Sequence, residues 1–159
     1  MESITIIGPC LNESENIDEY ISRVLAVCKK LNLNYKIVLI DDGSTDQTWL
    51  KILDNSKEDN NIHGIKFTRN FGHQAAIRAG IDNSKSDAVI TIDGDLQDPP
   101  ELILEMVDLW KKGADHVSTI RSERKSETFI KKLTASIYYY ILDNSSNFNN
   151  VLSYANGFL

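Results

Sequence analysis

Short apolar runs rich in isoleucine and valine alternate along the chain with longer segments in which apolar residues recur at helical spacing. This alternation is typical of β-α-β units, in which helices flank a mainly parallel sheet. The pattern predicts strands at residues 4–7, 35–40, 64–68, 87–92 and 116–120. We therefore expect an α/β, Rossmann-like fold. The length of 159 residues, of which 42% are hydrophobic, favours a single domain.

The segments between the strands carry signals for the ends of helices. Ser14 is placed to cap the first helix, whose apolar positions begin at Ile17. The third helix contains small residues that would let it lie close to the sheet: Ala75, Ala76, Ala79 and Gly80. Pro99 and Pro100 are expected to open the fourth helix, and Gly113 to end it.

Charge and cysteine content narrow the class of protein. The formal net charge of −6 argues against a nucleic-acid-binding protein, because such proteins carry basic residues that neutralise phosphates. Cys10 and Cys28 are too few and too far apart for a disulfide scaffold or a zinc cluster, so a reducing, cytoplasmic setting is expected. The first residues do not resemble a secretory signal. No apolar run reaches the roughly 20 residues needed to span a bilayer, so no membrane span is predicted.

A late segment differs from the rest in charge. Residues 121–132 carry five basic and two acidic side chains, and residues 137–142 are apolar and aromatic. Two interpretations explain these residues equally well. One is an interfacial helix whose cationic residues meet anionic head groups. The other is a helix packed on the sheet edge with its lysines in solvent.

Acidic residues follow three of the predicted strands. Glu13 follows the first strand, Asp41 and Asp42 follow the second, and Asp93 and Asp95 follow the fourth. The carboxyl ends of parallel strands meet at one edge of the sheet, where α/β proteins bind ligands. Acids gathered there repel one another unless a cation or hydrogen-bond donors lie between them. The sequence therefore predicts a ligand site at this edge.

Asp93-Gly94-Asp95 has the chemistry of a site for a hard divalent cation. Carboxylate oxygens suit Mg²⁺ or Mn²⁺, Gln97 adds a further oxygen, and the glycine lets the backbone approach a ligand closely. An ordinary surface turn explains the same three residues. An EF-hand is excluded, because its loop needs glycine at the sixth position and glutamate at the twelfth, where this chain has Asp98 and Leu104.

Two further polar segments have both a functional and a structural interpretation. Residues 41–46, DDGSTD, have the composition of a turn and a helix cap. One acid would suffice for capping, so Asp41 and Asp42 are candidates to accept hydrogen bonds from a nucleotide. In residues 69–74, RNFGHQ, Arg69 either faces a diphosphate or lies in a loop. His73 is expected to belong to that loop and to the start of a packed helix.

Four motifs occur in order along the chain: PCLNE at 9–13, DDGSTD at 41–46, RNFGHQ at 69–74 and DGDLQDPPE at 93–101. Together they resemble the family 2 glycosyltransferases of the GT-A fold. The resemblance is greatest to the branch of dolichyl-phosphate mannosyltransferases and bacterial undecaprenyl-phosphate glycosyltransferases, and it covers nearly the whole chain. Each motif alone is weak, whereas four in order are specific.

The resemblance implies roles in nucleotide binding for several residues. Pro9, Leu11 and Glu13 would line the nucleotide pocket. Asp41 and Asp42 would meet the base and the ribose. Asp93, with Gly94 beside it, would contact the nucleotide.

The resemblance also implies a metal site and a catalytic pair. Asp95 and Gln97 would hold Mg²⁺ or Mn²⁺ against the diphosphate. Arg121, at the end of the fifth strand, would meet the donor phosphate or a phosphate acceptor. Asp95 and Arg121 are therefore the candidate catalytic residues.

The implied reaction is a metal-dependent, inverting transfer of a sugar from a UDP- or GDP-sugar to a polyprenyl phosphate. Such an acceptor is already ionised near neutral pH and demands little of a general base. Transfer to a saccharide in cell-wall or capsule synthesis is a second hypothesis, and a non-catalytic nucleotide-sugar-binding remnant is a third. A nucleotidyltransferase is disfavoured. Such enzymes carry, after the first strand, a glycine-rich loop that contains a basic residue, and this chain has residues 9–13, PCLNE, there instead.

The end of the chain departs from this branch. Its members continue with a glycine-aspartate-phenylalanine-arginine-leucine type motif and often with transmembrane helices, whereas residues 155–159 are ANGFL. We expect residues 1–121 to form the nucleotide-sugar-binding core and residues 122–159 a truncated acceptor and membrane-proximal part. A cytoplasmic location with peripheral contact at the inner face of the membrane follows. The sequence does not predict an oligomeric state.

Overall fold

The structure is a computed structural model that describes residues 2–120 and 150–154. The chain divides into two compact units, Met1–Leu104 and Glu105–Leu159. The strands of the first unit are β1 (Ser3–Cys10), β2 (Asn34–Asp41), β3 (Ile62–Lys66) and β4 (Ala88–Thr91). Its complete helices are α1 (Ile17–Cys28), α2 (Thr48–Glu58) and α3 (His73–Asp82). The strands form a parallel sheet in the order β3-β2-β1-β4, which confirms the predicted α/β class.

The strand β1 lies inside the sheet and extends further than the sequence predicted. Its pairing with β4 ends at Ile7, opposite Thr91, whereas its pairing with β2 continues to Cys10. The carbonyl oxygen of Pro9 accepts a 3.2 Å hydrogen bond from the amide of Gly94. The proline nitrogen therefore faces the side on which β4 has already ended. Because no strand partner requires an N–H there, proline is tolerated inside the sheet.

One part of the core of the first unit lies where α3 meets the sheet. Ile7, Val38, Ile40 and Ala76 form a buried cluster. Gly80 allows the close approach that the small residues of this helix predicted, since a Cβ atom added there would lie 2.5 Å from Cγ2 of Ile7. This packing places the start of α3 at the carboxyl edge of the sheet.

The prediction that Ser14 caps α1 is wrong. The helix begins at Ile17, and the carbonyl oxygen of Glu13 accepts hydrogen bonds from the amides of Asn16 at 3.0 Å and Ile17 at 2.9 Å. Ser14 therefore lies within the turn that precedes the helix. Its own amide donates a 3.0 Å hydrogen bond to Oδ2 of Asp46.

The predicted bounds of the third strand were shifted by two residues. Pairing with β2 runs from Ile62, opposite Ile37, to Lys66, opposite Asp41. The strand therefore ends where its partner ends. Residues 67 and 68, which the sequence placed in the strand, follow it and lead into the loop that carries Arg69 to Gly72.

The second unit begins within α4 (Leu102–Lys111) and contains a two-stranded parallel sheet of β5 (His116–Ile120) and β6 (Asn150–Tyr154). Gly113, with a φ of 98°, follows the helix as predicted. The bounds of β5 agree with the prediction, but its partner is β6, which the sequence did not predict. The single domain, with a division between residues 121 and 122, stays a prediction. Across residues 2–120 and 150–154, no helix is long and apolar enough to cross a membrane.

Candidate functional site

A cleft with a volume of about 240 Å³ opens beyond the carboxyl ends of β1, β2 and β4 in the first unit. Most of its wall comes from the segments that the sequence singled out. The lining residues are Pro9, Cys10, Leu11, Glu13, Asp42, Asn70, Gly72, His73, Ala76, Asp93, Gly94 and Asp95. The predicted ligand site at this edge of the sheet is therefore a real concavity, although small beside typical ligand pockets.

Main-chain hydrogen bonds hold Asp93-Gly94-Asp95 beside β1. The amide of Ile92 donates to the carbonyl oxygen of Ile7 at 3.0 Å, and the amide of Gly94 donates to that of Pro9 at 3.2 Å. A Cβ atom at Gly94 would lie 2.7 Å from Sγ of Cys10. Glycine is thus required here because the thiol of Cys10 fills the space that a side chain would take.

The turn after Asp95 is closed by its own side chain. Oδ1 of Asp95 accepts a 2.9 Å hydrogen bond from the amide of Gln97, and Leu96 between them has a φ of 60°. Asp95 is partly buried and lines the cleft, whereas Gln97 is exposed and is not among the lining residues. The structure therefore places one of the two predicted metal ligands in the cleft.

The segment from Pro9 to Glu13 is fixed to the turn that follows β2. The amide of Asn12, whose φ is 57°, donates to Oγ of Ser44 at 2.9 Å. The amide of Glu13 donates to Oγ1 of Thr48 at 2.8 Å. These bonds hold the three predicted pocket residues of this segment, Pro9, Leu11 and Glu13, at the wall of the cleft, and Leu11 is 40% exposed there.

The thiol of Cys10 is a packing group in this wall. It is buried and donates a 3.3 Å hydrogen bond to the carbonyl oxygen of Gly8. Burial raises the pKa of the thiol far above its ordinary value, and the carboxylate of Glu13 adds to the effect. Cys10 therefore stays protonated and does not act as a nucleophile.

Asp41 is fully buried at the end of β2 and is not among the lining residues of the cleft. Its Oδ1 accepts a 3.0 Å hydrogen bond from the amide of Ser44. Its Oδ2 is buried without a hydrogen-bond donor from the described residues. A buried carboxylate oxygen without a hydrogen-bond donor lowers the stability of the folded protein.

Asp42 lines the cleft, but its carboxylate already has partners. Oδ1 accepts a 2.7 Å hydrogen bond from the amide of Phe71, and Oδ2 accepts a 3.0 Å bond from the amide of Gly72. The side chain is nearly buried, with 4% of the residue exposed. Contact of Asp42 with the base or ribose of a nucleotide stays a prediction.

Sequence reasoning missed His73 and Asn70, which both line the cleft. Nε2 of His73 lies 3.7 Å from Oδ1 of Asp93 across the cleft, and the two side chains are 50% and 45% exposed. The interpretation of His73 as only a loop and helix residue is therefore incomplete. Its position after β3, at the edge where the acids follow the other strands, was the signal that could have identified it.

Two arginines were candidates for a phosphate contact: Arg69, for which a loop position was the alternative, and Arg121, from the resemblance. The guanidinium of Arg69 lies 4.1 Å from the ring centre of Phe71, and its Nη1 donates to the carbonyl oxygen of Asn70 at 3.4 Å. Arg69 is not among the residues that line the cleft. These contacts favour the loop interpretation. Arg121 lies outside the described residues, as does the basic segment that follows it.

The residues of the cleft fit a hard cation only together with ligand oxygens. In the described parts of the chain, no three His, Cys, Asp or Glu side chains are grouped so that they could hold a metal ion by themselves. Among the described residues, the lining nevertheless contains four carboxylates, those of Glu13, Asp42, Asp93 and Asp95, and one basic side chain, that of His73. A diphosphate would be repelled there unless a cation accompanied it, and Mg²⁺ commonly binds through one or two carboxylates plus phosphate oxygens.

Comparison with known proteins identifies the family of the chain. Residues 5–158 match the model of glycosyl transferase family 2. An uncharacterized glycosyltransferase of Bacillus subtilis, YkcC, is 42% identical over 143 residues, which cover 90% of this chain and 44% of that protein. An undecaprenyl-phosphate 4-deoxy-4-formamido-L-arabinose transferase of Pseudomonas fluorescens is 40% identical over 127 residues, covering 79% of this chain and 37% of that one. The chain thus spans less than half the length of these relatives.

Solved structures support the fold. The glucosyl-3-phosphoglycerate synthase of Mycobacterium tuberculosis, in complex with Mn²⁺, UDP and glucosyl-3-phosphoglycerate, superimposes with a TM-score of 0.65 at 20% identity, covering 88% of this chain and 52% of that one. S. aureus TarS in complex with UDP superimposes with a TM-score of 0.54 at 19% identity, covering 82% and 40%. The sheet and its helices are those of GT-A glycosyltransferases. The chain belongs to glycosyl transferase family 2.

Proposed function

We propose that this chain binds a nucleotide-sugar donor together with Mg²⁺ or Mn²⁺ and transfers the sugar, with inversion, to a polyprenyl phosphate. The observation that carries the proposal is the gathering of four carboxylates, with one histidine, around a cleft at the carboxyl edge of the sheet. Such a cleft suits a diphosphate only when a cation is bound with it.

The base and ribose belong, in this proposal, to the β2 side of the cleft. Asp41 is fully buried and does not line the cleft, so its Oδ2 would have to be uncovered before a base N–H or a ribose hydroxyl could donate to it. Pro9 and Leu11 would pack against the nucleotide from β1. Asp93 would contact the nucleotide from the opposite wall.

The diphosphate and the metal belong to the β4 side. Asp95, with Gln97 after it in the same turn, would hold the cation. When bound, the cation stabilises the negative charge that develops on the leaving diphosphate. The main-chain bonds of Ile92 and Gly94 to β1 fix the backbone on which Asp95 stands, so the carboxylate is positioned before the donor arrives. Arg121 would meet a phosphate of the donor or acceptor.

The choice of acceptor is inferred from a relative and from the basic segment, not from the cleft. The Pseudomonas fluorescens relative is named as a transferase acting on undecaprenyl phosphate, and the basic residues of 121–132 suit a membrane surface carrying anionic lipids. A polyprenyl phosphate acceptor is therefore preferred over a saccharide. Donor binding without transfer by this chain would instead indicate a non-catalytic remnant.

Thermal unfolding with UDP or GDP, each with and without MnCl₂, tests donor binding. At a ligand concentration of about 100 Kd, binding adds about 2.7 kcal/mol, or roughly 5–10 °C in Tm. Asp95→Asn should remove the part of the shift that depends on Mn²⁺. Asp87→Asn is the matched control, because Asp87 also accepts a backbone hydrogen bond, from Ser3 at 2.8 Å, but at the opposite end of the sheet. No metal-dependent shift with either nucleotide would reject the proposal.

Transfer is tested separately with radiolabelled nucleotide sugars. Label extracted with polyprenyl phosphate into organic solvent supports the proposed acceptor. Label on an added saccharide supports transfer in cell-wall or capsule synthesis. If the donor binds but no sugar is transferred to either acceptor, the proposed catalysis by this chain is wrong and only donor binding is supported.

A further inference from the structure

The loop after β1 is bonded through three consecutive main-chain amides to the segment that leads into α2. The amides of residues 12–14 each donate a hydrogen bond to a side-chain oxygen of that segment, at 2.9, 2.8 and 3.0 Å in chain order. The acceptors, in the same order, are Ser44, Thr48 and Asp46. The two segments are therefore joined along their length and not at a single point.

Thr48 is the middle acceptor of the three. It is the first residue of α2 and is fully buried. Its Oγ1 donates a 2.6 Å hydrogen bond to Oδ1 of Asp46, which also accepts the Thr48 amide at 2.9 Å. An ionised carboxylate can only accept, and its hydrogen bonds are stronger than those between neutral groups. The hydroxyl hydrogen of Thr48 therefore points to Asp46, and a lone pair of Oγ1 accepts the amide of Glu13.

Glu13 is held through both its main chain and its side chain. Its amide donates to Oγ1 of Thr48 at 2.8 Å, and its carbonyl oxygen accepts the amides of Asn16 and Ile17, where α1 begins. Oε2 of Glu13 accepts a 2.7 Å hydrogen bond from Nδ2 of Asn16. Glu13 lines the cleft, whereas Thr48 does not. The Glu13 carboxylate thus belongs to a main-chain segment that is held by a buried residue outside the cleft.

We infer that Thr48 is a positioning residue for the donor: its hydroxyl, oriented by Asp46, holds the main chain of Glu13 so that the Glu13 carboxylate keeps its place in the cleft wall. Thr48 does not touch the donor itself. The hold on Glu13 stands on the geometry alone, whereas the effect on donor affinity rests on the proposed function. If Asp46 and Thr48 only began the helix α2, their loss would lower stability without changing that affinity.

Amide hydrogen exchange of the ligand-free protein, followed by NMR, tests the hold on Glu13. The amide of Glu13 should be protected in the wild type, a result that needs no substitution. Thr48→Val replaces the hydroxyl by a methyl group of similar size, so this amide should exchange about tenfold faster. Thr48→Ser keeps the hydroxyl and should keep the protection. An unprotected Glu13 amide in the wild type, or an unchanged rate in a folded Thr48→Val protein, overturns the inference.

Nucleotide affinity separates positioning from a role in α2 alone. With MnCl₂ and whichever of UDP and GDP binds, Thr48→Val should raise Kd about tenfold, and Thr48→Ser should stay within about twofold of the wild type. Thr5→Val is the matched control. Thr5 is also fully buried, and its hydroxyl is bonded to that of Ser86 at 2.7 Å, in the amino-terminal half of β1.

The control variant Thr5→Val should lose stability and keep the wild-type Kd. An unchanged Kd in a folded Thr48→Val protein overturns the inference, because the hydroxyl would then contribute to stability alone. A Thr5→Val protein that weakens binding as much as Thr48→Val also overturns it, because the effect on affinity would then not be specific to Thr48.

A double-mutant cycle with Glu13 tests the route by which Thr48 acts. In a Glu13→Gln background, Thr48→Val should weaken nucleotide binding much less than in the wild type, because the carboxylate that it positions is gone. Fully additive effects overturn the inference. If the wild type binds neither nucleotide with Mn²⁺, the proposed function fails and the effect on affinity fails with it, whereas the amide exchange still decides whether Thr48 holds Glu13.

Discussion

The hydroxyl of Tyr20, on α1, donates a 2.9 Å hydrogen bond to the carbonyl oxygen of Ile92, the residue before Asp93. The amide of Ile92 is bound on its other side to β1, through the carbonyl oxygen of Ile7. Burial raises the pKa of Tyr20 well above its ordinary value, so the phenol remains a donor at physiological pH. The helix α1 and the strand β1 thus hold the acidic segment of the cleft together.

Replacing Tyr20 by phenylalanine should leave the Ile92 carbonyl buried without this donor. We expect the free energy of unfolding to fall by about 1–3 kcal/mol, measured by urea denaturation. Tyr35→Phe is the control, because Tyr35 is partly exposed and water can replace a lost partner; its change should stay within about 0.5 kcal/mol. Equal stability of Tyr20→Phe and the wild type would show that the bond contributes nothing.

The contact between Gly94 and Cys10 predicts a rescue. Gly94→Ala should destabilise the protein by about 1–3 kcal/mol, because the new methyl group would overlap Sγ of Cys10 at 2.7 Å. In a Cys10→Ala background that atom is gone, and the next nearest neighbour, the carbonyl oxygen of Pro9, is 3.4 Å away. The alanine at 94 should then cost much less. Additive effects in a denaturation cycle would contradict this geometry.

The substitution Gly80→Ala tests whether a methyl group at this position raises or lowers the stability of the protein. Glycine to alanine in the interior of a helix ordinarily stabilises by about 1 kcal/mol. Here the added Cβ atom would lie 2.5 Å from Cγ2 of Ile7 in the core, so Gly80→Ala should lower the midpoint of chemical denaturation. An increase in stability would mean that α3 can move away from β1 at no cost.

Asp46 should contribute to stability at neutral pH and not in acid. Burial acts to raise its pKa, but hydrogen bonds from Thr48 and Ser14 outweigh that effect and hold the pKa far below its ordinary value. A carboxyl whose folded-state pKa is depressed stabilises the fold above its unfolded pKa of about 4 and loses that contribution as pH falls toward the folded value. Asp46→Asn should therefore be destabilised at pH 7 by about 1 kcal/mol, as for a lost helix-end hydrogen bond. Urea denaturation should show nearly the same difference from wild type at pH 7 and pH 5 and a smaller one at pH 3; a difference that stays constant down to pH 3 would contradict the linkage.

The order of strands and helices could be predicted because apolar periodicity is a local property of the sequence. The ends of the elements could not, since they depend on partners. The strand β1 continues through Gly8 and Pro9 because β2 pairs with it as far as Cys10, and β3 ends at Lys66 because β2 ends opposite it. The pairing of β5 with β6 joins segments separated by about thirty residues of sequence, which periodicity does not report.

Much of the wall of the cleft could also be predicted, because acids at the carboxyl ends of parallel strands converge in any sheet of this kind. Glu13, Asp42, Asp93 and Asp95 line it as expected. His73 could not be placed, since its approach to Asp93 depends on the path of the loop 69–72. That path depends on hydrogen bonds from the loop to the Asp42 carboxylate, about thirty residues earlier in the chain.

The backbone beneath the acidic pair is anchored by main-chain bonds, from Ile92 and Gly94 to β1, that no change of the Asp93 or Asp95 side chain removes. The backbone of residues 92–94 is therefore independent of the Asp93 carboxylate, whereas the turn after Asp95 still depends on the Asp95 side chain. A chain with another side chain at position 93 should keep this backbone, because the bonds that hold it are main-chain bonds. The same fold can therefore bind a different ligand at this position.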